Sequence, residues 1–218
     1  MLIGYILILI SLAELVLGIF LISRYQRSQA KIWYGLFCIA IAIYVGGNGL
    51  GYLRNNLYIA ERVGWVGGIL TAIFILPFSF TFPLPRKRFS ELWPLVIWPA
   101  IIFVPAILAT NILLNNNGEI SYRLGYSTLK GPYFWAMLGL FGVYWVWALI
   151  NLFWRRSHSD GIHRWQLNSL LLGIVVSLVV SVTTDIIFPL VTKSTIGYVG
   201  SLFSAVWLGF TAYIILRK

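Results

Sequence analysis

Seven apolar runs, separated by polar segments, occupy most of the chain. A helix needs about 20 mostly apolar residues to cross the hydrocarbon core of a bilayer, so each run predicts a membrane-spanning helix. The predicted helices cover residues 2–22, 32–53, 63–81, 92–113, 133–154, 165–188 and 196–216. Most connections are short, so neighbouring helices should pack antiparallel. The pattern predicts one all-α domain over residues 1–218, a polytopic bundle of seven transmembrane helices.

The composition supports a membrane protein. Hydrophobic residues make up 60% of the chain and charged residues 10%, with a mean hydropathy of +0.87. Aromatic residues make up 17%, including 10 Trp, as expected where aromatic side chains lie at both bilayer interfaces. The first run follows Met1 without a basic segment or a cleavage site, which indicates a retained helix rather than a signal peptide.

The distribution of basic residues predicts the orientation. With the N-terminus outside, the inner segments hold most of the 16 Lys and Arg residues. These are Arg24, Arg27, Lys31, Arg86, Lys87, Arg88, Arg155, Arg156, Arg164, Arg217 and Lys218. The outer side holds Arg54, Arg62, Arg123, Lys130 and Lys193. The inner excess follows the positive-inside rule, so we predict a cytoplasmic C-terminus, and the net charge of +10 reflects topology rather than binding to nucleic acid.

One connection is long, and it lies on the predicted outer side. It reads "NILLNNNGEISYRLGYSTLKGP" from Asn111 to Pro132. The Asn-Asn-Asn-Gly segment favours a turn, and "ISYRLGYSTL" favours a small hairpin. The segment is either a lid over the bundle or a simple connector.

The sixth run carries polar residues on one side. On a helical wheel, Gly173, Ser177, Ser181, Thr184 and Asp185 share about a third of the circumference, which indicates that they face protein. A carboxylate in an apolar segment of this length costs about 2 to 3 kcal/mol on insertion scales, so Asp185, near the outer end of the run, is a candidate functional residue. Hydrogen bonding between helices is the alternative for all the polar members.

Glu14 lies near the middle of the first run, with no basic residue three or four positions away. An isolated charge there is expensive, so we expect Glu14 to be neutral or paired with another helix. A proton relay or ligand contact is one interpretation. A protonated carboxyl hydrogen-bonded across a helix interface is the other.

The second run contains "GGNGLGY", from Gly46 to Tyr52. The spacing of Gly47 and Gly51, like that of Gly64 and Gly68 in the third run, predicts close packing of helix backbones. Asn48 beside these glycines could also line a small cavity, and the two interpretations are compatible.

At the predicted outer rim, Arg54, Glu61 and Arg62 bracket a segment interpreted as a loop, which also holds Tyr58 and Trp65. Anchoring at the membrane interface and ligand binding both fit it. The candidate ligand-binding residues of the whole chain are Asp185, Asn48, Tyr52, Glu61, Trp65, Ser181 and Glu14.

No catalytic or cofactor motif stands out in the sequence. Cys38 is the only cysteine, and His158 and His163 have no companions at metal-ligand spacing. No lysine lies in the middle of an apolar run, which disfavours a retinal Schiff base. The chain lacks a Walker loop, an HExxH pair and a GxSxG elbow, so we expect neither a cofactor nor enzyme activity.

The pattern as a whole resembles the N-terminal seven-helix sensory region of histidine kinases, which also occurs on some diguanylate cyclases. "AERVGWVGGILTAIFILPFSFTF" resembles its third helix, with an early aromatic residue, Trp65, and a late proline, Pro77. "KGPYFWAMLGLFGVYWVWALINLFWRR" is similar to the fifth helix. "HRWQLNSLLLGIVVSLVVSVTTDIIFP" is similar to the sixth, with Arg164 and Gln166 before a Leu-rich segment and Gly173. "IGYVGSLFSAVWLGFTAYIILRK" resembles the seventh.

The resemblance implies a sensory domain in the inner membrane of a prokaryotic cell. It would bind a small ligand, signal through its seventh helix to a cytoplasmic kinase or cyclase module, and dimerise in a full receptor. Family members usually continue into that module, whereas this sequence ends at Lys218, so we expect either an excised domain or a free-standing homologue with a separate partner.

Two other functions fit the sequence. In a small transporter or channel, Pro77, Pro94, Pro99, Pro105 and Pro189 would kink helices. Glu14 and Asp185 would then mark a proton or cation route. In a non-catalytic membrane scaffold, the glycine faces would bind other proteins and the polar stripe would only join helices.

Overall fold

The computed structural model describes residues 2–53, 57–83, 89–109, 120–121, 126–127, 134–184 and 198–216. Within these residues, seven α-helices form the fold: α1 (Leu2–Arg24), α2 (Gln29–Leu53), α3 (Leu57–Thr81), α4 (Phe89–Ala109), α5 (Phe134–Ser157), α6 (Gly161–Val182) and α7 (Tyr198–Leu216). Each contains a stretch long and apolar enough to cross a membrane. The prediction of an all-α bundle of seven transmembrane helices is confirmed. The predicted helical residues 110–113, 133, 185–188 and 196–197 lie outside the described residues.

Helix α3 begins at Leu57, well before the predicted start at residue 63. The interpretation of residues 57–62 as part of a loop is therefore wrong, and Glu61 and Arg62 lie within the helix. The apolar run stops at the charged residues, but Leu, Ala, Glu and Arg are all good helix formers, so the helix itself continues. Helices α5 and α6 also extend beyond their apolar runs into charged sequence.

A short hairpin lies in the long connection between α4 and α5. Strand β1 (Ile120–Ser121) pairs antiparallel with β2 (Tyr126–Ser127), with Ile120 opposite Ser127 and Ser121 opposite Tyr126. The pairing agrees with the hairpin predicted from the sequence. Its role as a lid stays a prediction.

Helix α3 lies at the centre of the bundle, with 72% of its membrane span buried, compared with 22% for α1 and α4. It packs against α2, α4 and α5, while α7 packs against α1, α2 and α6. Further contacts between α1 and α2 and between α5 and α6 close a ring of six helices, and α4 packs against this ring chiefly through α3.

Glycines bring the backbones of α2 and α3 into direct contact. A Cβ atom placed on Gly47 would lie 2.7 Å from the Cα of Gly64 and 2.9 Å from the carbonyl oxygen of Ala60. Such distances leave no room for a side chain, so the predicted close packing is confirmed for Gly47 and Gly64. The second close approach of α3 uses Gly67, since a Cβ atom on Gly68 would make only an ordinary contact with Tyr44.

Two buried arginines bond to carbonyl groups at the ends of other helices. Arg155 of α5 is 8% exposed and donates to the carbonyl oxygen of Phe82, directly after α3. Arg62 of α3 is 6% exposed and donates to the carbonyl oxygen of Ile107, in the last turn of α4. The last carbonyls of a helix lack intrahelical partners and carry partial negative charge, so these contacts compensate the burial of both cations. Arg62 is thus buried between helices rather than free at the rim.

Candidate functional site

Hydrogen bonds join α7 to three other helices, and we call these four bonds the α7 ladder. Asn48 of α2 donates to Ser201 Oγ at 3.2 Å, and the hydroxyl of Ser204 lies 3.3 Å from Oε1 of Glu14 in α1. The Tyr34 hydroxyl of α2 donates to the carbonyl oxygen of Leu208 at 2.8 Å. Gln166 of α6 donates to the carbonyl oxygen of Ile214 at 3.2 Å. From residue 201 to residue 214, the ladder extends about 20 Å along α7 at 1.5 Å per residue.

The spacing of the α7 residues explains why the ladder forms on one face. Ser201, Ser204 and Leu208 are separated by three and four positions, so they lie above one another on a helix. Polar groups cannot be satisfied by hydrocarbon, so this face turns towards α1 and α2. Ser201 and Thr211, on the same side, are fully buried. The opposite side exposes Val206 and Tyr213, as expected for contact with lipid.

Glu14 is buried within this interface, with 3% of its surface exposed. Its Oε1 atom faces Ser204, and its Oε2 atom has no hydrogen-bonding partner. Contact with a second helix agrees with the expectation from the sequence. Glu14 also lies close enough to Tyr34 and Cys38 of α2 to interact with them electrostatically.

Asn48 joins α2 to α7 at the opposite end of the ladder from Gln166. Its amide bonds to Ser201, and its Oδ1 atom would lie 3.6 Å from a Cβ atom placed on Gly64 of α3. Asn48 therefore lies where α2, α3 and α7 meet. The observed bond is an interhelical contact, which is the role also expected of buried amides in membranes.

The other predicted site residues make none of the four ladder bonds. Tyr52 and Trp65 are partly buried and pack against the hydrophobic core. Ser181 is half-buried in α6. Asp185 lies outside the described residues, and so does the side chain of Glu61. The structure thus joins Glu14 and Asn48 to neighbouring turns of α7, through Ser204 and Ser201.

The polar side of α6 faces protein, as predicted, where it is described. Thr184 is buried, and the Ser177 hydroxyl oxygen is buried without a hydrogen-bonding partner. Gly173 lies directly against the indole of Trp207, where a Cβ atom would overlap the ring. The same indole meets Phe37 of α2 edge-on at 5.5 Å between ring centroids. Trp207 of α7 therefore packs between α6 and α2.

A small cleft of about 180 Å³ lies beside the last turn of α7. Lys31, His163, Gln166 and Ile215 are among its lining residues. His163 Nδ1 lies 3.3 Å from Oε1 of Gln166, the residue that holds Ile214. The end of α7 is thus linked through Gln166 to His163 in the first turn of α6.

Tyr34, Ser201 and Ser204 were not identified from the sequence. Single Tyr and Ser residues within apolar helices are common and carry little signal. The recurrence of Ser201, Ser204 and Thr211 at helical spacing is the one pattern that could have indicated a polar face on α7. Gln166 contributed only to the family resemblance, because its bond to Ile214 depends on the packing of α6 against α7.

Within the described ranges, no group of three or more His, Cys, Asp and Glu residues is placed to hold a metal ion.

A family model for the N-terminal 7TM region of histidine kinase matches residues 6–215. The chain belongs to this family. This region of histidine kinases is a sensory membrane domain and is non-catalytic by itself. The match confirms the resemblance drawn from the four helix patterns. Comparisons with curated proteins and with solved structures gave no match.

Within this histidine kinase sensory region, α7 is the last of the seven helices that the family match covers. The α7 ladder is therefore formed on the helix that comes after the other six in the sequence.

Proposed function

We propose that residues 1–218 form one signal-receiving domain, which detects a small extracellular or membrane-borne ligand and transmits through α7. The output would be a cytoplasmic histidine kinase or diguanylate cyclase module, as a C-terminal extension or as a partner, and the chain itself would have no catalytic module. The domain would lie in the inner membrane of a prokaryotic cell, with its N-terminus outside, and would form a homodimer in the full receptor. Membership of the sensory family supports this proposal.

The observation that carries the proposal is the α7 ladder. Hydrogen bonds between membrane helices contribute about 0.6 kcal/mol on average, so the four bonds together hold α7 by only a few kcal/mol. Coupling free energies between sites are typically about 1 to 3 kcal/mol. A ligand with unequal affinity for two positions of α7 can therefore shift its equilibrium.

The ligand site is proposed at the predicted outer end of the ladder. Asn48 and Ser201 mark that end within the described residues. The candidates Tyr52, Trp65, Glu61, Ser181 and Asp185 would complete the lining, with Glu14 deeper in the bundle. A ligand bound there would act on α7 by competing for the Asn48–Ser201 bond.

A matched pair of tyrosines tests the role of the ladder. Tyr34 and Tyr144 each donate to a backbone carbonyl of another helix, at 2.8 Å to Leu208 of α7 and at 3.0 Å to Leu95 of α4. The chain is fused through Lys218 to a histidine kinase module, and each tyrosine is changed to Phe in a separate variant. Autophosphorylation of each variant is measured in lipid nanodiscs.

We expect Tyr34→Phe to change the basal kinase activity several-fold, because one ladder bond is lost. Tyr144→Phe should leave the activity close to that of the unchanged chain, because α4 makes no ladder bond. Equal effects of the two changes, or none from either, would contradict transmission through α7.

Ligand detection is tested separately, by thermal unfolding of the purified chain against a library of small molecules. A true ligand should raise the unfolding midpoint of the unchanged chain, and the rise should shrink in Asp185→Ala. If no compound class stabilises either protein, the receptor role fails even where the tyrosine pair behaves as expected.

A further inference from the structure

The groups that face Glu14 come from the two helices packed against α1. Helix α2 brings Tyr34 and Cys38, and α7 brings Ser204. The Tyr34 hydroxyl already donates to Leu208, and Cys38 is fully buried. Across the described residues, no cation forms an ion pair with Glu14. The carboxyl group is therefore enclosed by neutral groups.

The hydroxyl of Ser204 has two neighbouring oxygens but only one hydrogen. Its oxygen lies 2.7 Å from the carbonyl oxygen of Ser201 and 3.3 Å from Oε1 of Glu14. The shorter distance is that of an ordinary O–H···O bond, so the hydrogen of Ser204 goes to Ser201. A carboxylate accepting that hydrogen would draw the hydroxyl to about 2.6 Å. At 3.3 Å the contact between Ser204 and Glu14 is longer than an ordinary O–H···O bond. With the hydrogen of Ser204 directed to Ser201, the hydroxyl oxygen of Ser204 is left as an acceptor for a hydrogen from Glu14.

We propose that the carboxyl group of Glu14 is a proton-operated latch on α7. This inference rests on the proposed role of α7 in transmission and names a regulation of that same ladder. The protonated carboxyl donates to Ser204 and holds α1 against α7. The ionised carboxyl has no hydrogen to donate and is buried without a cation, which is unfavourable. The unfavourable burial is relieved when α7 moves so that water or the Ser204 hydroxyl reaches the carboxylate.

The test measures the position of α7 directly in the full chain. Spin labels are attached at Val16 of α1 and Val206 of α7, which are 66% and 74% exposed. Cys38→Ala provides the background, which also removes the thiol that faces Glu14. Distances are measured by pulsed electron paramagnetic resonance in lipid nanodiscs, over a pH series from about 4 to about 9.

We expect two distance populations whose ratio changes by about tenfold or more across the series. Glu14→Gln keeps a hydrogen-bond donor of the same shape, and should hold the low-pH population at every pH. Ser204→Ala removes the partner, and should show the high-pH population at every pH. Tyr34→Phe should keep the pH response, because its hydroxyl is not the titrating group.

The latch is overturned if the distances do not change with pH, if the change persists in Glu14→Gln or Ser204→Ala, or if Tyr34→Phe abolishes it. The measurement needs neither a ligand nor a kinase. A pH response that depends on Glu14, together with kinase fusions insensitive to Tyr34→Phe, would support the latch and contradict the proposed function. Kinase fusions that respond to Tyr34→Phe, together with distances that do not change with pH, would contradict the latch and leave the proposed function standing.

Discussion

The contact between α2 and α3 and the contact between α7 and its neighbours are built differently. At the first, Gly47 and Gly64 bring two backbones together with no space for a side chain. At the second, polar side chains from α1, α2 and α6 reach α7 across the interface. The first contact permits one relative position of its helices, whereas the hydrogen bonds of the second can be replaced by others when α7 moves.

The difference follows from the distance dependence of the two interactions. When a gap of about 0.5 to 1 Å opens between packed atoms, they lose a quarter to a half of their van der Waals attraction. Steric repulsion prevents the atoms from moving closer together. A hydrogen bond between membrane helices is worth less than its strength in vacuum suggests, because a displaced polar group finds another partner. We therefore infer that α2 and α3 form the fixed part of the bundle and α7 the movable part.

The largest expected effect is at the fixed contact. Gly47→Ala places a Cβ atom against the backbone of Gly64, which cannot move aside as a side chain can. We expect a loss of about 3 kcal/mol in the free energy of unfolding, measured by denaturation in mixed micelles. Gly139→Ala is the control, because nothing lies within 4 Å of a Cβ atom there. A loss at Gly47 no larger than that at Gly139 would remove the distinction between the two contacts.

A second change tests whether a polar contact can also hold two helices in one position. Arg155→Met leaves the carbonyl oxygen of Phe82 without its buried donor, and we expect a loss of about 2 kcal/mol in the free energy of unfolding. The neighbouring Arg156 is exposed and donates to Asn168. Arg156→Met should therefore change the stability by less than about 0.5 kcal/mol. Similar losses for both arginines in the same micelle assay would show that burial does not set their contribution.

The smallest expected effect is at the movable contact. A double-mutant cycle of Asn48→Ala and Ser201→Ala should give a coupling energy of about 0.6 kcal/mol, the average for hydrogen bonds between membrane helices. Denaturation of the four proteins in mixed micelles measures it. A coupling energy above about 2 kcal/mol would make the ladder as rigid as the glycine contact.

The number and order of the helices were predictable because hydrocarbon imposes one length and one composition on every spanning segment. The ends were less predictable, since α3 continues through Glu61 and Arg62 and α5 through Arg155. Arg62 and Arg155 are buried against the carbonyl ends of other helices, and a hydropathy pattern contains no information about such a partner. The same reason explains why Arg62 was assigned to a rim.

The candidate site was predictable only in part. Glu14 and Asn48 stood out because carboxyl and amide groups are costly in lipid, and both join α7 in the structure. Their partners Ser204 and Ser201 did not stand out, because a serine in an apolar helix can satisfy its hydroxyl on its own backbone. The Ser204 hydroxyl does so with Ser201 while it also faces Glu14.

The sequence by itself determined that this chain spans a membrane seven times, that close helix contacts use glycine and that a few polar groups must turn inward. Those conclusions need only the local balance between residue chemistry and hydrocarbon. The tertiary structure decided which helices share those groups, and it placed the partners of Glu14, Asn48, Tyr34 and Gln166 all on α7. Pairing across helices depends on rotation and register, which no single helix specifies.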